Sequence, residues 1–203
     1  MRIRNRKTDQ DLVATIECGR RLLVSERHQE TLKFLEKAIQ VFPEDAEVRL
    51  LYATVLLDLR PADVAAEASK AVELGPDDPV ILVRAGGLLL NRGQLDAARS
   101  CFKQARETVG PDFLLMPGLL NREGLLAIQD RDFDLAEEKL SAAVESEPTS
   151  EPFANDLARL LASRGRLTEA VEVVDQALQQ VKKKGDLERL RTKLEAAILS
   201  ERD

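Results

Sequence analysis

Chemistry in this chain would have to start from a handful of side chains. The only histidine, His28, stands beside Glu26 and Arg27, in what reads as a turn between two helical patterns. To serve as the base of a triad or as a zinc ligand it would need a nucleophile or further His and Cys at fixed spacing, and no such partners are at hand. Cys18 and Cys101 lie far apart and in no metal-like spacing. Each sits within a helical apolar pattern, so both read as small core residues. Paired acids such as Asp77 and Asp78 are explained by turn and capping chemistry. No glycine-rich phosphate loop follows a strand, because there is no convincing strand. The residue types point away from an enzyme, and no metal or cofactor is expected.

The composition supports an all-α reading. Of the 203 residues, 44% are apolar and 33% charged, while Phe, Tyr and Trp together make up only 3%. Strand-favouring aromatics are thus scarce, and the abundant Ala, Leu, Glu and Arg are helix formers. A net charge of -6 and the absence of Trp argue against a nucleic-acid partner, which calls for a basic face or stacking platforms. The basic start, with Arg2, Arg4, Arg6 and Lys7, reads as a solvated tail over residues 1–11. No apolar run approaches the roughly 18 residues of a membrane span, so no membrane insertion is expected. A cytoplasmic protein is the expectation from this pattern and from the two distant cysteines.

The chain repeats itself. Ala38, Ala71, Ala105, Ala143 and Ala177 recur at steps of 33, 34, 38 and 34 residues. Nineteen residues before four of them stand Gly19, Gly86, Gly124 and Ala158, with Ala53 eighteen before Ala71. A third row, Thr31, Val64, Ala98, Ala136 and Ala170, lies seven before each alanine. Pro43, Pro76, Pro111 and Pro148 mark turns after the second helices. A glycine inside a helix costs about 1 kcal/mol relative to alanine. Its recurrence at one depth implies that paired antiparallel helices approach closely there, with leucines interlocking a turn away. No single pair can bury both faces, so the pairs must stack.

This pattern resembles the tetratricopeptide repeat family, whose unit is a helix-turn-helix of about 34 residues. Five repeats are expected, over 12–45, 46–78, 79–112, 117–150 and 151–184, followed by an amphipathic capping helix over 185–203. Asp45, Asp78 and Ser150 stand at expected N-caps. Lys182, Lys183 and Lys184 are expected to close the last repeat, with Gly185 as its stop. Where the family often carries Trp, this chain has Thr15, Arg49, Leu82, Leu120 and Ala154, so its core is aliphatic. The resemblance implies a right-handed superhelix whose first helices line a concave face.

Carried over by the repeat rows, the ligand-facing positions are Ile16, Arg20 and Leu23, then Leu50, Thr54 and Leu57, then Val83, Gly87, Leu90 and Asn91. Repeat four contributes Asn121, Leu125, Ile128 and Gln129, and repeat five Asn155, Arg159 and Ser163. The resemblance thus implies a face that is apolar over repeats one to three and polar further on. Such a face suits an amphipathic helix or apolar peptide of a protein partner; the alternative is that the helices are rotated so that these leucines pack between repeats. The clamp for acidic chaperone tails found in some members is matched only by Arg84, among Ile16, Arg20, Leu51, Val80 and Arg84.

Two irregularities stand out. Four extra residues precede repeat four, in a stretch carrying Phe113, Leu114, Leu115 and Met116. Either the next helix starts a turn early, near Asp112, or the segment folds over the concave face as a lid or contact. Glu123 occupies an inward row that Cys18, Tyr52, Ala85 and Leu157 hold elsewhere, and the insertion is expected to expose it. The function implied is a non-enzymatic scaffold, adaptor or assembly chaperone. Self-association as a homo-oligomer, or service as the interaction domain of a larger protein, is the alternative.

Overall fold

The computed structural model describes residues 6–110, 112–181 and 185–200. Among them it shows eleven α-helices and no strand: α1 (Arg6–Val24), α2 (His28–Val41), α3 (Ala46–Leu59), α4 (Val64–Leu74), α5 (Pro79–Asn91), α6 (Leu95–Thr108), α7 (Met116–Gln129), α8 (Phe133–Ser146), α9 (Glu151–Ser163), α10 (Leu167–Leu178) and α11 (Gly185–Ser200). Residues 1–110 and 111–203 form two compact units, divided beside the four-residue insertion.

In the first unit, α1 packs on α2, α3 on α4 and α5 on α6, and each pair packs on the next. In the second, α7 packs on α8 and α9 on α10. The small-residue rows set these contacts. A Cβ built on Gly86 would lie 2.6 Å from Cε1 of Phe102 and 3.0 Å from Cβ of Cys101. On Gly124 it would lie 2.7 Å from Cγ of Leu140 and 3.2 Å from the carbonyl oxygen of Ala136. The alanines of the other two rows, from Ala38 to Ala177, are all buried. Backbone contact thus compensates the propensity cost of these glycines.

The turns repeat as well. After the second helices, the amides of Asp45, Asp78 and Ser150 donate to the carbonyls of Phe42, Gly75 and Glu147. Asp45 then accepts from the Val48 amide at 3.0 Å, and Asp78 from Val80 at 2.8 Å, so both cap the helices they precede. Ser150 has the same extended backbone but makes no side-chain cap. Between first and second helices, the amides of Gln94, Asp132 and Arg166 reach back to the carbonyls of Leu89, Ala127 and Leu161. That closure needs a left-handed residue just before each donor. Gly93 and Gly165 fill two of these positions, at φ +73° and +76°, and Arg131 fills the third at φ 61°.

Several expectations need correction. Helix α1 begins at Arg6, so residues 6–11 are helical and are not a tail, while the earlier basic residues lie outside the described ones. His28 opens α2 instead of lying in the turn, with its Nδ1 3.2 Å from Asp58. Helix α10 stops at Leu178, and Gly185 starts α11 instead of ending the preceding helix. The lysine run, Lys182 to Lys184, lies outside the described residues. Cys101 is buried, and burial pushes its thiol up from the ordinary range, but Cys18 is exposed. Helix α1 packs mainly on α2 and α3. The insertion does not lengthen the next helix either. Helix α7 starts at Met116, with Pro117 in its first turn where a missing amide is harmless.

At the C-terminal end, α11 lies on both α9 and α10 and buries Leu187 and Leu194 against them. Arg191 reaches Asp175 of α10 at 2.6 Å.

Gly86→Ala and Gly124→Ala are expected to destabilise the fold by about 1–3 kcal/mol in spite of better helix propensity. Gly118→Ala, with nothing within 4 Å of its Cβ, should be neutral or stabilising. Thermal melts of the three variants check this; equal melting temperatures would show that the helices yield at the glycine contacts. Arg131→Gly relieves a left-handed side chain and should stabilise by about 0.5–1 kcal/mol in the same assay.

Candidate functional site

The first helices carry the residues expected to face a partner, and the structure sorts them. Leu50 is fully buried, Val83 is 2% exposed and Asn121 6% exposed, so none of the three can meet a ligand on the surface. For Leu50 and Val83 the reason is that α3 packs against both α1 and α5, which closes the seams between neighbouring first helices. Gly87 is buried too. Ile16 and Leu23 are half-buried and pack on the first unit's core. Thr54, Leu57 and Leu90 are half-buried, and Arg20 and Asn91 are exposed. Of the expected apolar row, Leu50 and Val83 are therefore core, and Ile16, Leu23, Leu57 and Leu90 remain half-buried.

What replaces it is charged. Glu47 of α3 accepts from Arg20 of α1 at 3.1 Å and from Arg84 of α5 at 2.7 and 2.9 Å. Glu47 is 14% exposed, while the two arginines are more open. One carboxylate thus ties three successive first helices together. On the same helix, Arg49 fills the position where the family often has Trp. It is buried, pairs with Glu67 of α4 at 3.0 Å and donates to the Pro43 carbonyl.

In the second unit, Asn155 is half-buried, Arg159 and Ser163 are exposed, Leu125 and Ile128 are half-buried, and Gln129 is exposed. Buried Asn121 has a structural role: its Nδ2 donates to Asp156 of α9 at 3.0 Å. Burial raises the Asp156 carboxyl above its ordinary range, against the Asn121 hydrogen bond and the charges of Arg159 and Arg122, which lower it. Asn155, Asp156 and Arg159 line a cleft of about 560 Å³, together with Glu151 and Pro152 of α9. Its other wall is α11, through Asp186, Arg189, Leu190 and Lys193. Those four positions are spaced as one face of a helix. Sequence reasoning placed Asn155 and Arg159 here but missed the α11 wall, although its charges recur at that spacing. Glu47 could have been suspected only as a carboxylate two repeats' helices could share.

In the insertion, Leu114 is 88% exposed, and Phe113, Leu115 and Met116 are half-buried. Glu123 is half-buried. Among the described residues no group of three or more His, Cys, Asp or Glu is placed to hold a metal, and no helix is long and apolar enough to cross a membrane.

Antiparallel helix pairs stacked through small residues define the all-α helical-repeat class, the solenoid type of fold. Residues 127–194 match the tetratricopeptide repeat family model. A thermophilic tetratricopeptide repeat protein of Thermus thermophilus is similar in structure, with a TM-score of 0.73 at 26% identity, over 93% of this chain and 99% of that one. The sequence over residues 127–194 matches tetratricopeptide repeats, and the fold is that of a tetratricopeptide repeat protein. Its fold is also shared by PilF of Pseudomonas aeruginosa (TM-score 0.73, 20% identity, 98% of this chain and 88% of that one). PilW, a widely conserved type IV pilus biogenesis factor, matches at TM-score 0.73 and 18% identity, over 87% of this chain and 79% of its own. Among curated proteins no match was found.

Asp156→Asn tests the buried carboxyl. Its native pKa is raised, so the folded chain holds the proton to higher pH than the unfolded chain does. Wild type therefore loses stability as pH rises from the unfolded carboxyl's value through the native one, and the loss is complete above the latter. The variant should melt higher than wild type at neutral pH, and the difference should vanish in acid. A difference that does not change with pH would show that this carboxyl does not titrate with folding.

Proposed function

We propose that this chain is a non-enzymatic scaffold that holds a peptide or helical segment of a partner protein on the face of its first helices, in the cytoplasm. The fold suggests protein–protein interaction in general. The observation that carries the narrower reading is the cleft between α9 and α11, where Asn155 and Arg159 project from a first helix into open space. In the first unit the same class of helix offers Thr54, Leu57, Leu90 and Asn91, about two turns along α3 and α5 from the Glu47 ion pairs. An assembly-factor role agrees with the fold shared with PilW, which is itself a pilus biogenesis factor. The partner surface is mixed, with polar groups fixing orientation and half-buried leucines supplying apolar contact.

The exposed apolar side chains leave self-association as a second reading, since Val24, Val41, Leu114 and Leu199 are each more than half exposed. Val13, on α1 like Val24, is 57% exposed as well.

A photo-crosslinking amino acid at Thr54, Asn91, Gln129 or Arg159 should capture one protein in living cells. The same probe at Lys70, Lys103, Glu138 or Glu172, all exposed on second helices, should not. Capture from the second-helix positions alone would overturn the first-helix reading. Crosslinks to another copy of the chain would establish self-association instead.

A further inference from the structure

Helix α1 packs mainly on α2 and α3, and the side it turns away from them carries a short pattern of its own. Val13, Glu17, Arg20 and Val24 are each more than half exposed. Their spacing of four, three and four residues places them within about 60° of one another, at about 100° per residue. These are the d, a, d and a positions of a heptad seam, the row by which one helix meets another. Leu12, Ile16 and Leu23 take the side that packs on the first unit's core, so the repeats do not use this row.

The two ionic residues of the row are only partly committed. Glu17 meets Arg21, one turn on, at 4.0 Å, the outer limit of an ion pair. Arg20 gives Nε and Nη2 to Glu47, but a guanidinium has five N–H donors. Both groups can take a further partner of opposite charge.

We propose that this row is a homodimer contact, in which α1 of one copy lies antiparallel to α1 of a second. The row complements itself. Read from either end it runs valine, charge, charge, valine, with the two charges exchanged. A two-fold axis midway between Glu17 and Arg20 sets Val13 against Val24 of the second copy, and Glu17 against its Arg20. Each pairing then occurs twice, as an isologous contact requires. A parallel arrangement would set like charge on like charge, so electrostatics selects the antiparallel one. From Val13 to Val24 the seam spans about 16 Å of helix axis. A contact of that length is small, and the dimer is weak, with a dissociation constant of roughly 10–500 µM. The proposal gives the self-association reading one site and one geometry, and it draws on neither the α9–α11 cleft nor the scaffold reading.

The test is sedimentation equilibrium of the full chain over roughly 5–500 µM at low salt, where exposed charges are least screened. Wild type should pass from one chain to two across this range. Glu17→Arg sets arginine on arginine in the seam, and Arg20→Glu sets glutamate on glutamate. Each variant alone should dimerise at least about tenfold more weakly than wild type. An equimolar mixture of the two restores both opposite-charge pairings, and should dimerise within about threefold of wild type. Val24→Ser, at a side chain the fold leaves open, should weaken the dimer as well. Circular dichroism checks helicity, above all in Arg20→Glu, which gives up the bond to Glu47. Should that variant unfold, Glu17→Arg and Val24→Ser carry the test, and both must weaken the dimer. A wild-type chain still single at the top of the range, or a mixture of folded variants no stronger than its components, would overturn the α1 contact. Unchanged dimers in the variants would overturn it too, and would place self-association on another surface. None of these outcomes touches the scaffold reading, which is decided by first-helix crosslinks to a different protein.

Discussion

Everything in this fold hangs on how near two antiparallel helices can come at one depth of each repeat. At Gly86 and Gly124 the first helix has no side chain, and the second helix brings Phe102 or Leu140 into that space. The alanines opposite keep the second helix narrow along its length. A helix pair closed in this way still has one apolar side left, so it is stable only against a neighbouring pair or a cap. Helix α11 answers that need at the C-terminal end, with Leu187 and Leu194 inward and charged residues outward.

Close packing between successive first helices has a second consequence. It removes apolar side chains such as Leu50 and Val83 from the surface and leaves the rim to polar groups. There, ionic contacts join elements far apart in sequence: Glu47 with Arg20 and Arg84, and Arg49 with Glu67. Pairs of this kind add little net stability when exposed and are costly to break when half-buried. Their value is register, because a carboxylate shared by two arginines is satisfied in only one alignment of three helices. The same logic links α7 to α9 through Asn121 and Asp156.

The open chemistry of these first helices is set by which charges remain unpaired more than by exposed apolar area. In the first unit Glu47 occupies both arginines, leaving Thr54, Asn91 and half-buried leucines as the accessible chemistry. In the α9–α11 cleft of the second unit, Glu151, Asp156 and Asp186 have partners within the protein, while among the described residues Arg159 and Lys193 have none. The two units therefore display different surfaces from one repeated architecture, as expected when repeats share a core pattern and differ on their faces.

How much of this was legible in sequence follows from the range of each interaction. The helix pairs, the rows of small residues and the caps at Asp45 and Asp78 are local or strictly periodic, so spacing along the chain was enough to find them. The resemblance to tetratricopeptide repeats, matched in sequence over residues 127–194, followed from the same periodicity. Which side of a first helix meets solvent was not legible, because it depends on how far neighbouring helices slide together; this sent Leu50, Val83 and Asn121 inward. Cys18, which looked like core, is exposed on α1, whose main neighbours among the described helices are α2 and α3. Nor could the α9–α11 cleft be read in advance, since its two walls are distant in sequence and are joined only by folding. Periodicity determined the elements and their pairing, and only tertiary packing decided which polar groups are already matched and which remain open to a partner.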